Sequence, residues 1–502
     1  MRYIYILLIL TFSISNAIGQ DRCGTIQTQE MTDALVNNKK HWNETISRSL
    51  MPRFIPVTFH LIGENDGTRK ATEELALEGL CILNESFEIS GSNMFFYAAG
   101  FNELNNSSIN NDPFGSGFLM RNQTDDASIN IFIVNDISFG GTGRILGFYT
   151  PNGDYLVMRR DEMTSRTYTL EHEIGHFFTL KHTHYGWDGQ YYEPGIHGDT
   201  VTLNTVTILE QGPVGTVVPV ETQDGTNCDR AGDMICDTPP DYGFGFSCNC
   251  CILPWEVTDR NGDAIEPIME NIMSYSQGCD VQEFTPDQLV AINASLDANN
   301  RNYLRTNVTE SEYTPVRGQV ELVSPANGST ADVFNEVDFE WEAVENAEYY
   351  ILTIVANQRL TIRTTEPRAT VTDLSPNEAF IQWSVRAYNV FGGGCNGTEA
   401  RLLNTGNTSA VTDIDFVSGI NVYPNPVSTN TDVVVEFASE KSETAIVKLH
   451  TISGAVIYSE PAQIQTGNNR YVIQKSNLLN PGLFIFEIQT ETGSILEKII
   501  VR

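Results

Sequence analysis

His172-Glu173-Ile174-Gly175-His176, inside a helix-like run from 164 to 180, is the stretch from which the rest of the chain is read. Residues four apart share a helix face, so both imidazoles project together and can grip one ion. Leu170, Ile174, Phe177 and Phe178 form a separate apolar stripe for a core. Glu173 sits one step around the helix, beside the metal, where it can take a proton from a metal-activated water. A third histidine, His182, follows downstream. Its spacing from His172 corresponds to about 280° of rotation on an unbroken helix, pointing away from the pair. The helix must therefore stop between His176 and His182 if the third imidazole is to return to the metal.

Further motifs follow in order. Asn271-Ile272-Met273-Ser274-Tyr275 lies beyond a Gly-, Asp-, Pro- and Cys-rich stretch, and Gly232-Asp233-Met234-Ile235-Cys236-Asp237-Thr238-Pro239-Pro240 lies within it. Cys279 and Phe284-Thr285-Pro286-Asp287-Gln288 come next. The histidine spacing resembles the metzincin zinc signature, and the ordered set is similar to the pappalysin family, its bacterial cytophagalysin branch above all, over residues 54 to 300. That resemblance implies a mixed α/β (α+β) metzincin catalytic domain with zinc on His172, His176 and His182 and Glu173 as general base. It also implies a Met-turn at Met273 beneath the metal, and Tyr275 steadying the oxyanion. Where the family usually turns the chain with a glycine, this sequence has Thr179. A β-branched residue resists positive φ, so another turn geometry is expected there. Asp233, Asp237 and Thr238 have two readings: a Ca²⁺ site, as hard oxygens suit and as the resemblance implies, or a hydrogen-bonded turn. Relatives often favour Arg or Lys in their substrates, but no single pocket residue here carries that preference. His184 and His197 have no motif role, and a surface position is expected for His184.

The flanks set the context. Lys and Arg number 30 against 64 Asp and Glu, a formal charge of −34 that repels nucleic acid and anionic membrane surfaces. Met1-Arg2 followed by the apolar run Tyr3 to Phe12 and small residues to Gly19 reads as a secretory signal over 1–19, too short to span a bilayer. Nine cysteines suit an oxidising destination. Six of them, from Cys228 to Cys279, form disulfides of unreadable pairing or, alternatively, a structural zinc site. The odd total leaves at least one thiol without a partner. Arg22-Cys23-Gly24-Thr25 resembles the cysteine-switch motif of metzincin zymogens. It implies a propeptide over 20–52, ending near Arg48 or Arg53, with Cys23 on the zinc of the latent form. The competing reading pairs Cys23 with Cys81.

After the catalytic domain, placed at 53–305, the texture becomes all-β. Trp341, Tyr350, Leu374 and Trp383 recur at core-like intervals between Pro/Gly turns, and the segments around them resemble a fibronectin type III module over 318–400, a seven-stranded sandwich. Tyr423-Pro424-Asn425-Pro426, a late Pro481-Gly482 and a terminal strand ending Glu497-Lys498-Ile499-Ile500-Val501-Arg502 resemble the type IX secretion C-terminal sorting domain of Bacteroidetes over 415–502. The expectation is a secreted, monomeric zinc metalloendopeptidase, made latent, which engages the type IX machinery and acts on proteins or peptides. Its substrate would lie extended along an edge strand near Ile129 to Val134. Two other classes compete: a catalytically weak adhesion or carbohydrate-binding surface protein, and a zinc hydrolase of a non-peptide bond.

Overall fold

The computed structural model describes residues 22–42, 45, 51–137, 144–165, 167–246, 251–276, 279–330, 336–355, 359–372, 374, 380–395, 399–404, 416–428, 431–451, 456–474, 482–490 and 493–502. The expected signal segment, Arg48, and Cys248 and Cys250 lie outside these residues.

The first unit is built on a twisted six-stranded sheet. Its strands are β1 (Arg22–Cys23), β2 (Arg53–Gly63), β3 (Met94–Asn105), β4 (Ile129–Val134), β5 (Ile145–Thr150) and β6 (Tyr155–Arg159), ordered β1-β5-β6-β4-β2-β3. β3, β2, β4 and β6 run parallel, β5 is antiparallel to β6, and β1 lies parallel to β5. Every residue of β4 is buried, as a continuous apolar run in a parallel sheet should be. The expectation of an exposed edge at 129–134 is therefore corrected: β4 is paired on both sides, and the outer strand beside the site is β5, whose free edge is covered by β1.

Among the described residues four α-helices of nine or more residues accompany the sheet: α1 (Gln29–Lys39), α2 (Glu73–Ile89), α3 (Thr169–Phe177) and α4 (Pro286–Asp297). α2 alternates apolar positions at helical spacing and buries Leu77, Leu80, Leu83 and Phe87. Its Ser86 Oγ donates to Glu171 Oε1 of α3 at 3.0 Å, tying the two helices together. All nine residues of α3 are buried. Thr285 caps α4 in a reciprocal capping box with Gln288.

Disulfides join Cys228 to Cys236 and Cys251 to Cys279, so these four cysteines do not form a zinc site. Cys81 pairs with Cys395, which excludes the Cys23–Cys81 bridge and leaves Cys23 as a buried free thiol. Residues 343–350 and 386–395 belong to the first compact unit. The reason is physical: besides the disulfide, Tyr388 donates to Glu78 at 2.7 Å and Ala98 N donates to Val390 O at 2.7 Å.

Further along the chain the structure is all-β. Strands 322–324, 337–341 and 368–371 form one sheet, and 349–355, 359–364, 380–389 and 401–404 the main part of another, beside short extra pairings. Residues 417–501 fold as a three-stranded and a four-stranded antiparallel sheet around Val433, Val435, Phe437, Leu449, Phe486 and Ile499.

Candidate metal centre

α3 supplies the first half of the site. His172 and His176 lie on one face, and the helix stops at Phe178. Leu180 N bonds to Gly175 O and Thr179 N to His176 O, each at 2.9 Å, the reciprocal pair of a left-handed helix terminus. Thr179 itself has φ +76°. The expectation of a different turn is thus corrected: the threonine adopts the conformation that glycine usually takes. Its strain is offset locally by these bonds and by His176 Nδ1, which lies 2.8 Å from Leu180 O. Arg301 adds a bond to Phe177 O at 2.8 Å, serving another orphan carbonyl of the helix end.

The turn delivers His182. The three Nε2 atoms lie 3.0, 3.1 and 3.2 Å apart. Each Nδ1 faces an acceptor: Ile272 O at 2.7 Å for His172, Leu180 O for His176, and Asp188 Oδ1 at 3.0 Å for His182. With Nδ1 carrying the proton, each Nε2 keeps its lone pair. Burial lowers His172 to about 3 and holds His176 well below the ordinary range, so protonation does not relieve the crowding of three lone pairs. A tetrahedral ion with bonds of about 2.0–2.1 Å holds neighbouring ligand atoms about 3.3 Å apart, and the donor set fits zinc on both chemistry and spacing.

Cys23 completes the cluster. Its sulfur and the histidine nitrogens all lie within 4.8 Å of one another. Burial and the Glu173 carboxylate push the thiol up, so a thiolate here needs a cation beside it. The segment is seated by Gly24 N on Gly147 O at 2.8 Å and Gln27 N on Gln211 O at 3.0 Å. Thr25 Oγ1 donates to Glu173 Oε2 and accepts from Tyr149 N, both at 2.7 Å.

Glu173 is fully buried, and its Oε1 has no hydrogen-bond partner. Burial raises its carboxyl to about 7. An orphaned oxygen beside the histidine focus is where a water proton can be received. Two glycines make the approach possible. A Cβ on Gly147 would lie 3.1 Å from Glu173 Cγ, and one on Gly175 would lie 2.4 Å from Met273 Sδ. Met273 is fully buried under the helix, and its carbonyl accepts from Thr183 N at 3.1 Å.

Tyr275 is brought to the cluster, its ring 4.8 Å from that of His182, but its hydroxyl donates to Gln211 Oε1 at 3.0 Å. The expected calcium residues divide between two turns. The Asp233 carboxylate accepts from Ile235 N at 2.8 Å and from Thr238 Oγ1, whereas Asp237 accepts from Thr285 Oγ1 at 2.7 Å and Asp287 N at 2.8 Å at the start of α4.

Three functional neighbours had no motif. His184 is buried rather than on the surface, stacked on His182 with centroids 4.8 Å apart. Burial alone would lower it, but Asp188 and Asp241 outweigh that and raise it to about 9. Burial likewise works against ionised Asp188, and His184 and His182 outweigh it, holding the carboxyl below its usual range. Asp188 therefore bridges the third histidine to a charged neighbour, a role visible beforehand only as an acidic residue shortly after His182. Gln211 binds Tyr275 and also donates to Cys23 O.

Comparison with known proteins bears on the tail. Residues 421–502 match the family described as "Secretion system C-terminal sorting domain". No curated protein matches the chain. Among solved structures the chain is similar to a β-glucosidase from Listeria innocua in complex with glucose (15% identity, 17% of this chain and 15% of that one, TM-score 0.13). It is also similar to the chicken CNTN1 FN1-FN3 domains (12% identity, 37% and 68%, TM-score 0.14) and to dimeric latent PorU from Porphyromonas gingivalis (12% identity, 38% and 20%, TM-score 0.14). The chain thus spans 15% and 20% of the length of two of these three. Among the described residues no helix is long and apolar enough to cross a membrane. The chain carries a type IX sorting domain, engages that secretion machinery and is exported to the cell surface or the extracellular space.

Proposed function

We propose that the chain is a zinc metalloendopeptidase of the metzincin type, in the pappalysin branch, held latent by Cys23. The observation that carries this reading is the convergence of three Nδ1-anchored histidines and a buried thiol beside an orphaned carboxylate oxygen. His172, His176 and His182 would hold zinc, with Cys23 in the fourth position of the latent form. Zinc, when bound, supplies Lewis-acid polarisation and eases loss of a proton from water.

The chain's own residues do the rest. Once residues 22–25 leave, an extended peptide can pair with the exposed edge of β5. Glu173 takes the proton of the attacking water through the oxygen now orphaned and returns it to the leaving amine. Tyr275, released from Gln211, can donate its hydroxyl to the developing oxyanion. Asp188 fixes the ring of His182. Asp233 and Thr238 serve a turn and Asp237 serves α4, so the reading stands without calcium.

The test uses the secreted chain after its amino-terminal segment has been removed by limited proteolysis. Zinc content near one equivalent and chelator-sensitive casein hydrolysis are expected. Glu173→Ala should keep zinc but lose about 10²–10⁴-fold or more in turnover. Ordinary turnover by that variant removes Glu173 from the mechanism, and failure to bind zinc overturns the reading.

A further inference from the structure

Two elements hold the amino-terminal segment by its main chain. One is β5, whose Gly147 O accepts from Gly24 N at 2.8 Å. The other is the tip of a hairpin with strands Thr205–Thr207 and Val217–Pro219. The root of this hairpin is fixed, because Val206 and Val220 lie in a buried cluster with Trp187 and Tyr242. Buried Ile208 closes its neck: the N–H donates to Thr216 O and the carbonyl accepts from Gly215 N, both at 2.9 Å.

The tip presents Gln211, whose carbonyl accepts from Gln27 N at 3.0 Å and whose Nε2 donates to Cys23 O. Its Oε1 accepts from the Tyr275 hydroxyl at 3.0 Å. We propose that Gln211 is a peptide-backbone anchor: in the chain freed of its amino-terminal segment, its side-chain amide donates to a main-chain carbonyl of the bound peptide. The inference rests on the peptidase reading and adds to it a second holder besides the edge of β5.

What the tip grips is main chain. The side chain of Gln27 is 3% exposed and neither atom of its amide has a hydrogen-bond partner, whereas its N–H is bonded. The tip therefore matches groups that every peptide carries, and it matches this segment's own side chain poorly. Gln211 also stands at φ +53°. Glycine would make such a turn without backbone cost, so a long amide here is held in place for what it reaches. Once Cys23 leaves, Nε2 loses its acceptor beside the histidine cluster, and a peptide carbonyl restores it. Such a bond forms equally in the bound peptide and in the transition state, so it acts on KM and leaves kcat nearly unchanged.

The test uses the zinc-loaded chain freed of its amino-terminal segment and a synthetic peptide that it cuts, taken from its casein products. Gln211→Leu should lower kcat/KM about tenfold through KM, the scale of one neutral hydrogen bond. A set of analogues follows, each replacing one non-scissile peptide bond by a trans-alkene that keeps the shape but carries neither carbonyl nor N–H. At one position the replacement should cost wild type about tenfold and Gln211→Leu less than twofold, a coupling that a merely structural residue would not show. Should Gln211→Leu fail to fold, Gln211→Glu, which keeps the acceptor for Tyr275 and loses the donor, serves in its place. The same alkene profile in wild type and variant, or a loss confined to kcat, overturns this inference and leaves the peptidase reading intact. A parent peptide cut no faster by wild type than by Glu173→Ala overturns both.

Discussion

Replacing Thr25 with Val should loosen the amino-terminal segment by about two powers of ten while leaving the mature enzyme untouched. Valine keeps the shape of the buried threonine but removes the hydroxyl, which donates to Glu173 Oε2 and accepts from Tyr149 N. A bond to a charged group contributes about 1.5–3 kcal/mol and a neutral one about 0.5–1.5 kcal/mol. Their sum, near 3 kcal/mol, corresponds to about a hundredfold change in the fraction unseated. The bonds of Gly24 to Gly147 and Gln27 to Gln211 remain, so in most molecules the segment stays seated. The assay is alkylation of Cys23 in the intact precursor, followed on the peptide that contains it, because a buried thiol reacts only when its segment leaves. A rate about a hundredfold above wild type is expected, and kcat/KM of the processed enzyme, which has lost residue 25, should not change. An alkylation rate within about twofold of wild type, under ~0.4 kcal/mol, would refute the seating argument.

Other outcomes follow from single contacts. Asp188→Asn removes the charge that orients His182, so zinc should bind about 10–100-fold more weakly with the fold retained, measured by competition with a fluorescent chelator; unchanged affinity would deny Asp188 its positioning role. Thr179→Gly should raise thermal stability by about 1 kcal/mol, because a left-handed residue with a Cβ costs about 1–2 kcal/mol and the greater freedom of unfolded glycine returns part of it. A calorimetric midpoint at or below wild type would show that the surrounding bonds have removed the strain.

The legible parts of the site were those the covalent chain fixes locally. His172 and His176 share a face whatever the tertiary context, and the spacing to His182 required the helix to end where it does. Cys23 was legible because its motif is contiguous. The strand at Ile129–Val134 was legible as a strand, and its unbroken apolar run already argued for a paired interior position, which the edge expectation overlooked. Thr179 misled for a different reason: propensity disfavours the left-handed turn, but the bonds around His176 and Leu180 outweigh it. Asp188, Gln211 and the disulfide partner of Cys81 depend on how distant segments meet. Gln211 stands 64 residues from Tyr275 and 188 from Cys23, and no period in the sequence links them.

Those long-range contacts change what activation must accomplish. The amino-terminal segment occupies the fourth donor position with Cys23, the Oε2 of Glu173 with Thr25, and the free edge of β5 with Arg22–Cys23. Through Gln211 it also stands beside the hydroxyl of Tyr275. Displacing the sulfur alone would open the donor position but leave the carboxylate bonded to Thr25 and the strand edge covered. On the proposed reading, cutting near Arg53 would release the base, the peptide-binding edge and the fourth donor position in one event. On the proposed peptidase reading, latency would be distributed over several ordinary hydrogen bonds as well as one thiol, and a reagent that only captures Cys23 should activate the precursor less completely than proteolysis does.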